Sequence, residues 1–512
     1  MLTNYPERNL IFGPPGTGKT TYLINLLKEV AEAKIPMNEV GYFSFTKAAA
    51  VEARNRAKKQ FPRIENKHFE YFSTLHSLCF RLCNASKDYL IKPENRHGQR
   101  FCHTMGYRIN AYLDGTNEDT IRSKDDRMCL AEQKARNLCI SMEEFYADYD
   151  DREFTLEELI LYHESYTRFK KSNGLFDFAD LLERVAASDI FIPVLTTLII
   201  DEAQDLSKLQ WLVANKLIAN AKQTFIAGDD DQAIYNFAGA SAKPLVARNR
   251  STEWHSTVLN KSYRIPRLVQ QVAFNTLSKI PEDERVVKQW ASKEDIGLVK
   301  NIRSLSEIDL DTGEWCILGR THAIIRKFAA ELDRAGYHYA MPKYDSIVPN
   351  DAKAIRAYEK YRSNRLVKSD ELVILDTYIT NFDKTRKEIK SDFTKVDQLP
   401  TRLYKLIQTH PWYEMFDIGI TLDKKQYYRE VLRRRDSLDE DSARIRLSTM
   451  HAAKGREWDN VIVLYDISAK TMKSLLQNPS DEYRALYVAE TRAKKALYRV
   501  FPQTNIAYPF DI

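Results

Sequence analysis

An eight-residue segment near the start of the chain leaves few choices of fold. Residues 13–20 read Gly-Pro-Pro-Gly-Thr-Gly-Lys-Thr, a full match to the pattern G-x-x-x-x-G-K-[ST]. The apolar run at 10–12 precedes this segment, and apolar residues repeat at helical spacing from Leu23 to Val30 after it. The pattern predicts a strand, a phosphate-binding loop and a helix whose N-terminus points at the loop. A plain glycine-rich turn is the alternative, which the flanking strand and helix disfavour.

The residue types of this loop suit a nucleoside triphosphate. Glycines let backbone N–H groups turn toward phosphates, and the N-terminus of the following helix adds positive potential. Lys19 would reach the terminal phosphates, and Thr20 would offer its hydroxyl to Mg²⁺. We therefore expect ATP to be bound by Gly13, Pro14, Pro15, Gly16, Thr17, Gly18, Lys19 and Thr20.

A second segment places two adjacent carboxylates at the end of a strand. Residues 195–200 read Leu-Thr-Thr-Leu-Ile-Ile, which is typical of a buried parallel strand, and Asp201 and Glu202 follow. Such a pair is unfavourable without a cation. We expect Asp201 to bind Mg²⁺, directly or through water, and Glu202 to polarise the water that attacks the γ-phosphate. An acidic cap on the next helix is the alternative, and the phosphate loop weakens it.

Length and composition indicate a multi-domain intracellular protein. The 512 residues exceed what one hydrophobic core supports, and we find neither an apolar run of about 18 residues nor a secretory signal. The six cysteines show no paired C-x-x-C spacing, which favours reduced thiols. His76, Cys79 and Cys83 share helical spacing, and we prefer core packing to metal binding there. A net charge of +6 permits a polyanionic partner without demonstrating one.

A third segment makes a family resemblance specific. Residues 228–240 read Gly-Asp-Asp-Asp-Gln-Ala-Ile-Tyr-Asn-Phe-Ala-Gly-Ala. This segment resembles motif III of the UvrD/Rep/PcrA group of superfamily 1 DNA helicases, and residues 201–205 resemble its motif II. The resemblance implies that Gln232 senses the γ-phosphate and that Phe237 stacks on a DNA base. Stacking tolerates any base sequence, as a translocating motor requires; the alternative is an ordinary core role for Phe237.

Other segments resemble the DNA-facing motifs of this family. Residues 43–50 resemble motif Ia, although the usual Asn before Lys47 is missing, and residues 74–78 resemble motif Ib. Residues 445–459 resemble motif V. Hydroxyls and imidazoles in such motifs touch the DNA backbone. The residues implied to bind single-stranded DNA are Phe45, Thr46, Thr74, His76, Tyr235, Phe237 and His451.

The C-terminal half would supply a second wall of the nucleotide site. Residues 259–264 resemble motif IV, so Tyr263 would stack on adenine and Arg264 would reach the γ-phosphate. Glu457 would lie on the ribose or phosphate side, and Arg492, in a match to motif VI, would act as a second arginine finger. Solvated surface positions for the two arginines are the alternative. The implied catalytic residues are Lys19, Thr20, Asp201, Glu202, Gln232, Arg264 and Arg492.

The matches run in the family's order from residue 13 to about 495 and imply an α/β fold. We predict two RecA-like parallel-sheet P-loop NTPase domains, with mainly helical inserted subdomains and with ATP and Mg²⁺ in the cleft between the motor domains. The predicted bounds are 1–84 with 176–260 for the first motor domain, 85–175 for its insertion, 261–344 with 441–512 for the second motor domain, and 345–440 for a reduced insertion. Residues 177–182 resemble a family stretch that we interpret as structural, and residues 317–321 resemble a segment that forms a strand of the second motor domain in the family.

Two departures from the family pattern bear on function. No glutamine precedes Gln60, so the adenine-reading segment usual in the family is missing and adenine selectivity would rest on Tyr263. The second insertion is trimmed and carries many basic and tyrosine residues between Lys384 and Arg435. These residues could rest on duplex phosphates or form a solvated helix face. A compact phage or mobile-element member of the family is one interpretation of the length.

The resemblance implies an ATP-dependent helicase that moves 3′→5′ on single-stranded DNA and unwinds duplexes. Its substrates would be single-stranded DNA and single/double-strand junctions, its partners replication or repair proteins, and its location the cytoplasm of a bacterium or phage-infected host, with no membrane partner. One alternative is a DNA-stimulated ATPase that strips proteins from DNA or serves as the motor subunit of a larger complex without unwinding alone. Another is a nucleotide-gated binding module, which intact Glu202, Arg264 and Arg492 disfavour.

Overall fold

The chain divides into two compact units. The computed structural model describes residues 1–61, 65–109, 123–149, 153–342, 344–365, 401–435 and 443–510, with the isolated positions 367, 371, 374, 375, 377–379 and 438. Unit 1 comprises Met1–Lys300, Met450–Glu457 and Ser468–Leu497, and unit 2 comprises Asn301–Thr449, Trp458–Ile467 and Tyr498–Ile512.

The elements of the described residues follow each other in an alternating α/β order. The strands are β1 (Arg8–Phe12), β2 (Val40–Ser44), β3 (Phe72–Ser73), β4 (Leu195–Asp201), β5 (Ala221–Gly228), β6 (His255–Val258), β7 (Leu298–Ile302), β8 (Trp315–Gly319), β9 (Tyr339–Met341), β10 (Tyr344–Asp345), β11 (Ile445–Thr449), β12 (Trp458–Leu464) and β13 (Ala493–Val500). The α-helices are α1 (Lys19–Glu32), α2 (Lys47–Gln60), α3 (Leu75–Leu82), α4 (Arg96–Met105), α5 (Lys124–Leu138), α6 (Met142–Ala147), α7 (Leu156–Ser172), α8 (Phe178–Ala187), α9 (Lys208–Asn220), α10 (Lys243–Asn249), α11 (Arg267–Leu277), α12 (His322–Ala335), α13 (Pro349–Arg362), α14 (Thr401–Thr409), α15 (Trp412–Met415), α16 (Leu422–Arg435), α17 (Ala469–Gln477) and α18 (Pro479–Glu490).

The first sheet has the strand order β3-β2-β4-β5-β1-β6 in the described part of the chain, and its pairs are parallel. In the register, Phe12 is paired with Gly228 and Ser44 with Asp201. The carboxyl ends of β1, β4 and β5 therefore meet at one edge, and the loops that follow them lie side by side. This edge is where ligands bind in open α/β sheets.

Helices cover both faces of the first sheet because alternate strand residues point to opposite sides. Leu10 and Phe12 of β1 belong to a core with α3, α8 and α9, whereas Ile11 belongs to a second core with α1 and α2. The apolar positions of α1 between Leu23 and Val30 are buried, as the sequence predicted. The helix is thereby fixed with its N-terminus at the loop.

The first insertion is mainly helical where the structure describes it. Helices α4, α5, α6 and α7 surround a core of their own that includes Phe101, Leu159 and Phe169. A buried ion network joins this region to the start of α8, since the guanidinium of Arg136 lies 2.8 Å from Asp177. Asp177 also caps α8, which agrees with the structural role expected for 177–182.

The second sheet has the order β10-β9-β11-β8-β12-β13-β7 among the described residues. The pairs β9 with β11, β11 with β8 and β8 with β12 are parallel, and β9 with β10 is antiparallel. Helix α12 packs on this sheet through Ile325, Phe328 and Leu332. The strand expected at 317–321 is present as β8, which ends at Gly319.

The described part of the second insertion consists of helices α13 to α16 around an aromatic core. Tyr358, Trp412, Phe416 and Tyr428 lie in that core, and the Tyr428 hydroxyl donates to Asp351 at 2.7 Å. The basic residues near 384–390 lie outside the described residues. Lys424, Lys425, Tyr427, Tyr428, Arg433 and Arg434 belong to α16.

The predicted α/β fold, with two RecA-like parallel-sheet domains and mainly helical insertions, is confirmed. The residue bounds of the four predicted parts stay a prediction. Residues 261–300, 450–457 and 468–497, which that scheme gives to the second motor domain, group here with unit 1. Within unit 1, α18 packs on α11. Within the described residues, none of the helices has both the length and the apolar composition needed to cross a bilayer.

Candidate nucleotide and nucleic-acid site

The phosphate loop is a preformed turn between β1 and α1. The Gly13 N–H donates to the Gly228 carbonyl at 3.0 Å, which ties the loop to the end of β5. Thr17 donates from both its N–H and its hydroxyl to the Pro14 carbonyl, at 3.2 and 2.8 Å. Gly16 adopts a φ of +73°, a left-handed conformation that glycine reaches at little cost. The sequence predicted this strand, loop and helix.

Lys19 contacts both carboxylates of the second segment. Its Nζ lies 2.8 Å from Glu202 Oε1 and 3.4 Å from Asp201 Oδ1. Burial opposes the charged form, but Glu202 and Asp201 outweigh it and raise the pKa of Lys19. The Tyr42 hydroxyl donates to Asp201 Oδ2 at 2.9 Å and orients that carboxylate. The predicted phosphate-binding and metal-binding groups are thus in direct contact.

Glu202 has an uncommon backbone conformation, and its side chain is held by a neighbour that the sequence analysis did not select. Its φ is +53°, a left-handed value that a residue with a side chain rarely adopts. The buried Gln204 donates from Nε2 to Glu202 Oε2 at 2.6 Å and accepts the Asp229 N–H at 3.0 Å. Burial raises the pKa of Glu202, but Lys19 and Lys454 outweigh burial and lower that pKa to about 2. Glu202 is therefore an oriented, ionised carboxylate.

The predicted sensor and the second predicted arginine finger contact each other. Gln232 donates from Nε2 to Asp229 Oδ2 at 2.7 Å, and its Oε1 accepts from Arg492 Nη2 at 3.1 Å. Arg492 also donates from Nε to the Val488 carbonyl at 2.8 Å. Burial and the nearby Arg264 lower the pKa of Arg492 to about 9. Arg492 is therefore a desolvated cation that contacts Gln232, and a solvated surface position does not describe it.

Residues 262–264 lie against the phosphate loop. The Ser262 hydroxyl donates to the Pro15 carbonyl at 2.8 Å, and the Tyr263 N–H donates to the Gly16 carbonyl at 2.9 Å. The Tyr263 ring is 72% exposed, so its face is open to a base. Ser262 fixes this segment. It lies within the motif IV match, but the sequence analysis did not select it as a site residue.

Arg264 pairs with another predicted nucleotide contact. Its Nη1 lies 3.0 Å from Glu457 Oε2, and burial lowers its pKa. Arg264 and Glu457 are 193 positions apart in the sequence. The residues predicted for the nucleotide site come from both the N-terminal and the C-terminal half of the sequence, and all of them lie within unit 1.

The side chains at the strand ends fit Mg²⁺ together with a triphosphate. Mg²⁺ prefers hard oxygen ligands such as a carboxylate and a hydroxyl, which Asp201 and Thr20 supply. The adjacent carboxylates of Asp201 and Glu202 already hold a cation, the ammonium of Lys19. This arrangement shows that the strand end needs compensating positive charge.

Four of the residues predicted to bind DNA form one continuous row of rings. The ring centroids of Phe45 and Tyr235 are 5.7 Å apart, those of Tyr235 and Phe237 6.0 Å, and those of Phe237 and His451 5.5 Å. We call Phe45, Tyr235, Phe237 and His451 the aromatic row. Phe237 packs against a buried cluster with Val488 of α18 but is only partly buried. Because Phe237 is only partly buried, its packing against this cluster is compatible with contact between the rest of its ring and a base.

Thr46, Thr74 and His76 lie at helix starts, apart from the ring contacts of the aromatic row. Thr46 caps α2 by accepting the Ala49 N–H at 3.1 Å, and Thr74 caps α3 by accepting the Ser77 N–H at 3.2 Å. His76 is half-buried with its ring edge-on to Phe178, and burial lowers its pKa to about 4. Capping explains both threonines locally, and their contact with DNA stays a prediction.

Lys288 is a buried residue near the sensor that the sequence analysis missed. Its ammonium lies 3.1 Å from Asp229, 2.6 Å from Asp230 and 2.8 Å from Asp231. Arg285 pairs with Asp231 at 2.7 Å. Three consecutive buried aspartates require cations, and this requirement was the signal available in the sequence.

Comparison with known proteins agrees with the geometry. A model of the UvrD/REP helicase N-terminal domain matches residues 1–252, and a model of the UvrD-like helicase C-terminal domain matches residues 353–503. The chain belongs to the UvrD/Rep helicase family. Its class, an ATP-hydrolysing DNA helicase of superfamily 1, follows from that membership.

Individual members of the UvrD/Rep family are distant in sequence. A probable DNA helicase II homolog of Mycoplasma pneumoniae is 24% identical over 96% of this chain and 81% of its own length. The ATP-dependent DNA helicase PcrA of Staphylococcus aureus is 21% identical over 96% of this chain and 80% of its own length. A probable DNA helicase II homolog of Mycoplasma genitalium is 25% identical over 55% of this chain and 42% of its own length.

Proposed function

We propose that this protein is an ATP-driven motor that moves 3′→5′ along single-stranded DNA and unwinds duplexes at single/double-strand junctions. The observation that carries the hydrolytic part of the proposal is the contact between Arg492 and Gln232, whereas the direction of movement is the one that the family resemblance implies. This contact brings a desolvated cation to the residue that would read the γ-phosphate. A binding module without turnover has no need of such a pair, since charge stabilisation by an arginine serves the transition state.

The side chains divide the chemistry between them. Lys19 would leave the carboxylates to hold the terminal phosphates, and Glu202 would orient the attacking water and accept its proton. Gln232, Arg264 and Arg492 would respond to the charge that develops on the γ-phosphate. When bound, Mg²⁺ supplies charge neutralisation on the phosphate oxygens.

The aromatic row supports single-stranded DNA as the polymer substrate. Phe45, Phe237 and His451 are partly exposed, whereas Tyr235 is buried between its neighbours. A partly exposed ring can stack on a base at about 1–3 kcal/mol without selecting its identity. Two of the rings, Tyr235 and Phe237, follow the sensor Gln232 in the same short segment. A change at the nucleotide can therefore reach the row over a few residues. Replication or repair proteins are the partner class we propose, and the bacterial relatives favour the cytoplasm as its location.

Strand displacement on tailed duplexes tests the proposal. We expect separation of a duplex with a 3′ single-stranded tail, little separation with a 5′ tail, and ATPase activity that rises with single-stranded DNA. Glu202→Gln should bind ATP but lose turnover by about two to four orders of magnitude, and it serves as the inactive control. DNA-dependent ATPase activity without separation from either tail would favour the translocase or motor-subunit alternative. Preference for the 5′ tail would refute the proposed direction.

A further inference from the structure

Lys454 joins the nucleotide residues to the aromatic row. Its Nζ lies 2.6 Å from both carboxylate oxygens of Asp205 and donates to the backbone carbonyl of Gln232 at 2.7 Å. The same ammonium lies 4.8 Å from the ring centroid of Tyr235. One cation therefore touches the second carboxylate segment, the sensor backbone and a ring of the row.

The surroundings of Lys454 make these contacts strong. The side chain of Lys454 is 9% exposed and that of Asp205 is 3% exposed, so water screens the pair little. Burial raises the pKa of Asp205 to about 6, although Lys454 opposes that shift. Ring faces attract desolvated cations by about 2 kcal/mol or more. Lys454 cannot shift toward one partner without loosening another.

Two of the three partners belong to groups that differ between nucleotide states in the proposed reaction. Asp205 is hydrogen-bonded to Gln204, which also holds Glu202. The carbonyl of Gln232 belongs to the residue that would sense the γ-phosphate. A displacement of Asp205 or of the Gln232 carbonyl changes the contacts of Lys454. The contact between the Lys454 ammonium and the Tyr235 ring then changes as well. This path is a chain of direct contacts.

We propose that Lys454 is the positioning residue that transmits nucleotide state from Asp205 and Gln232 to the aromatic row through Tyr235. The inference rests on the proposed function, because it names how the ATP site of that motor regulates its DNA site. Lys454 makes no chemical step in this account. Its removal should reduce the thermodynamic coupling between the two ligands and leave both sites in place.

The test is a measurement of coupling in matched variants. The single-stranded DNA Kd is measured without nucleotide and with a non-hydrolysable ATP analogue, and ATPase rates are measured with and without DNA. In Lys454→Met, we expect the ratio of the two DNA Kd values to approach one, against a wild-type ratio of about 5 or more. The stimulation of ATPase by DNA should fall in parallel. Lys454→Arg, which keeps the charge, should recover part of the ratio.

Two further variants separate coupling from folding. Lys454→Met leaves Asp205 buried without its cation, whereas the double variant Asp205→Asn with Lys454→Met leaves no unpaired charge and should show the same loss of coupling. Lys216→Met is the matched control, because Lys216 is a partly buried lysine that donates to the Val185 and Ser188 carbonyls, at 2.9 and 2.7 Å. It should keep the wild-type ratio.

The possible outcomes are distinct. An unchanged Kd ratio in a folded Lys454→Met protein, or in the double variant, overturns the inference while the proposed function stands. A wild-type protein without DNA-stimulated ATPase activity or single-stranded DNA binding refutes the proposed function instead. Loss of the ratio in Lys216→Met as well would show that the effect comes from general loosening of unit 1 and would also overturn the inference.

Discussion

Arg492 donates a hydrogen bond to the side-chain oxygen of Gln232 across 3.1 Å, while the amide nitrogen of Gln232 is bonded to Asp229. The glutamine is thus held from both ends, and its orientation depends on two neighbours of opposite charge. A γ-phosphate entering beside this pair would meet a cation that is already desolvated.

Replacing Arg492 should impair chemistry more than nucleotide binding. We expect Arg492→Ala to lower the single-turnover rate of ATP hydrolysis by about a thousand-fold, and Arg492→Lys to remain well below wild type because lysine lacks the planar fork. Arg248→Lys is the control, since Arg248 stacks over Trp211, 4.5 Å from its ring centroid, in the same unit. If Arg248→Lys lowered the hydrolysis rate as much as Arg492→Lys does, the result would contradict a specific role for Arg492.

Adding one methyl group at Gly16 should weaken nucleotide binding. A Cβ there would lie 2.4 Å from the Arg264 Cβ, at a φ of +73°. We expect Gly16→Ala to weaken ATP binding by at least about ten-fold, measured by titration calorimetry, because strain of roughly 1–2 kcal/mol adds to the clash. Gly106→Ala shares the positive φ of +77° but meets no atom within 4 Å. If both variants bind ATP equally well, the clash is not decisive.

Truncating the aromatic row should weaken DNA binding without regard to sequence. Phe237→Ala removes a ring that touches both Tyr235 and His451, and we expect the single-stranded DNA affinity to fall by about 1–3 kcal/mol for any base composition. Fluorescence anisotropy with several homopolymers measures this. Phe191→Ala, at a ring that is 76% exposed elsewhere on unit 1, is the control. Unchanged affinity in Phe237→Ala would remove the row from the DNA site.

His76 should make folding stability depend on pH. Burial lowers its pKa from 6.5 to about 4, so the unfolded chain takes up the proton more readily than the folded chain does. Stability from this residue is present above pH 6.5 and is lost as pH falls toward 4. Because the ring is only half-buried, we expect about 1 kcal/mol between pH 7.5 and pH 5.

Urea unfolding at the two pH values measures the effect of His76. His76→Asn should flatten the dependence, whereas His255→Asn, at an exposed position on β6, should keep the wild-type slope. A slope that persists unchanged in His76→Asn would show that other groups cause it.

Nucleotide selectivity should be weak. The amide side chains in and beside the N-terminal segment already have hydrogen-bond partners within the protein. Asn9 donates to the Pro6 carbonyl at 2.7 Å, and Gln223 of β5 donates to the Leu2 and Tyr5 carbonyls. Selectivity would then rest on stacking by Tyr263, which accepts any purine. We expect similar kcat/KM values for ATP and GTP in steady-state assays. A strict preference for ATP would show that a group beyond Tyr263 reads the adenine edge.

The local signals in the sequence were enough to predict the strand, loop and helix at the edge of the first sheet where the nucleotide site is proposed. The strand expected at 195–200 is β4, one residue longer at Asp201, and the helix after the phosphate loop begins at Lys19. Periodicity and turn chemistry act over a few residues, so one sequence carries them. Phe237, which the family resemblance predicted to bind DNA together with Tyr235 and His451, lies next to both residues in the structure.

Contacts between segments that are distant in the sequence could not be predicted from local signals. Lys454 and Asp205 are 249 positions apart, and Lys288 reaches Asp230 across 58 positions. Neither lysine belongs to a periodic sequence pattern, and neither forms a local turn with its partner. Only the folded backbone determines which buried carboxylate each cation neutralises, because the low dielectric of the interior requires a partner without specifying which one.

The Ser262 hydroxyl and the Tyr263 N–H donate to the carbonyls of Pro15 and Gly16, so the segment proposed to stack on the base is tied directly to the loop proposed to hold the phosphates. In the proposed site, recognition of the base and of the phosphates would therefore depend on the same stretch of backbone. Evolution or engineering toward a different base would have to reshape this segment without disturbing the turn beside it, so altered specificity and lost affinity should arise together.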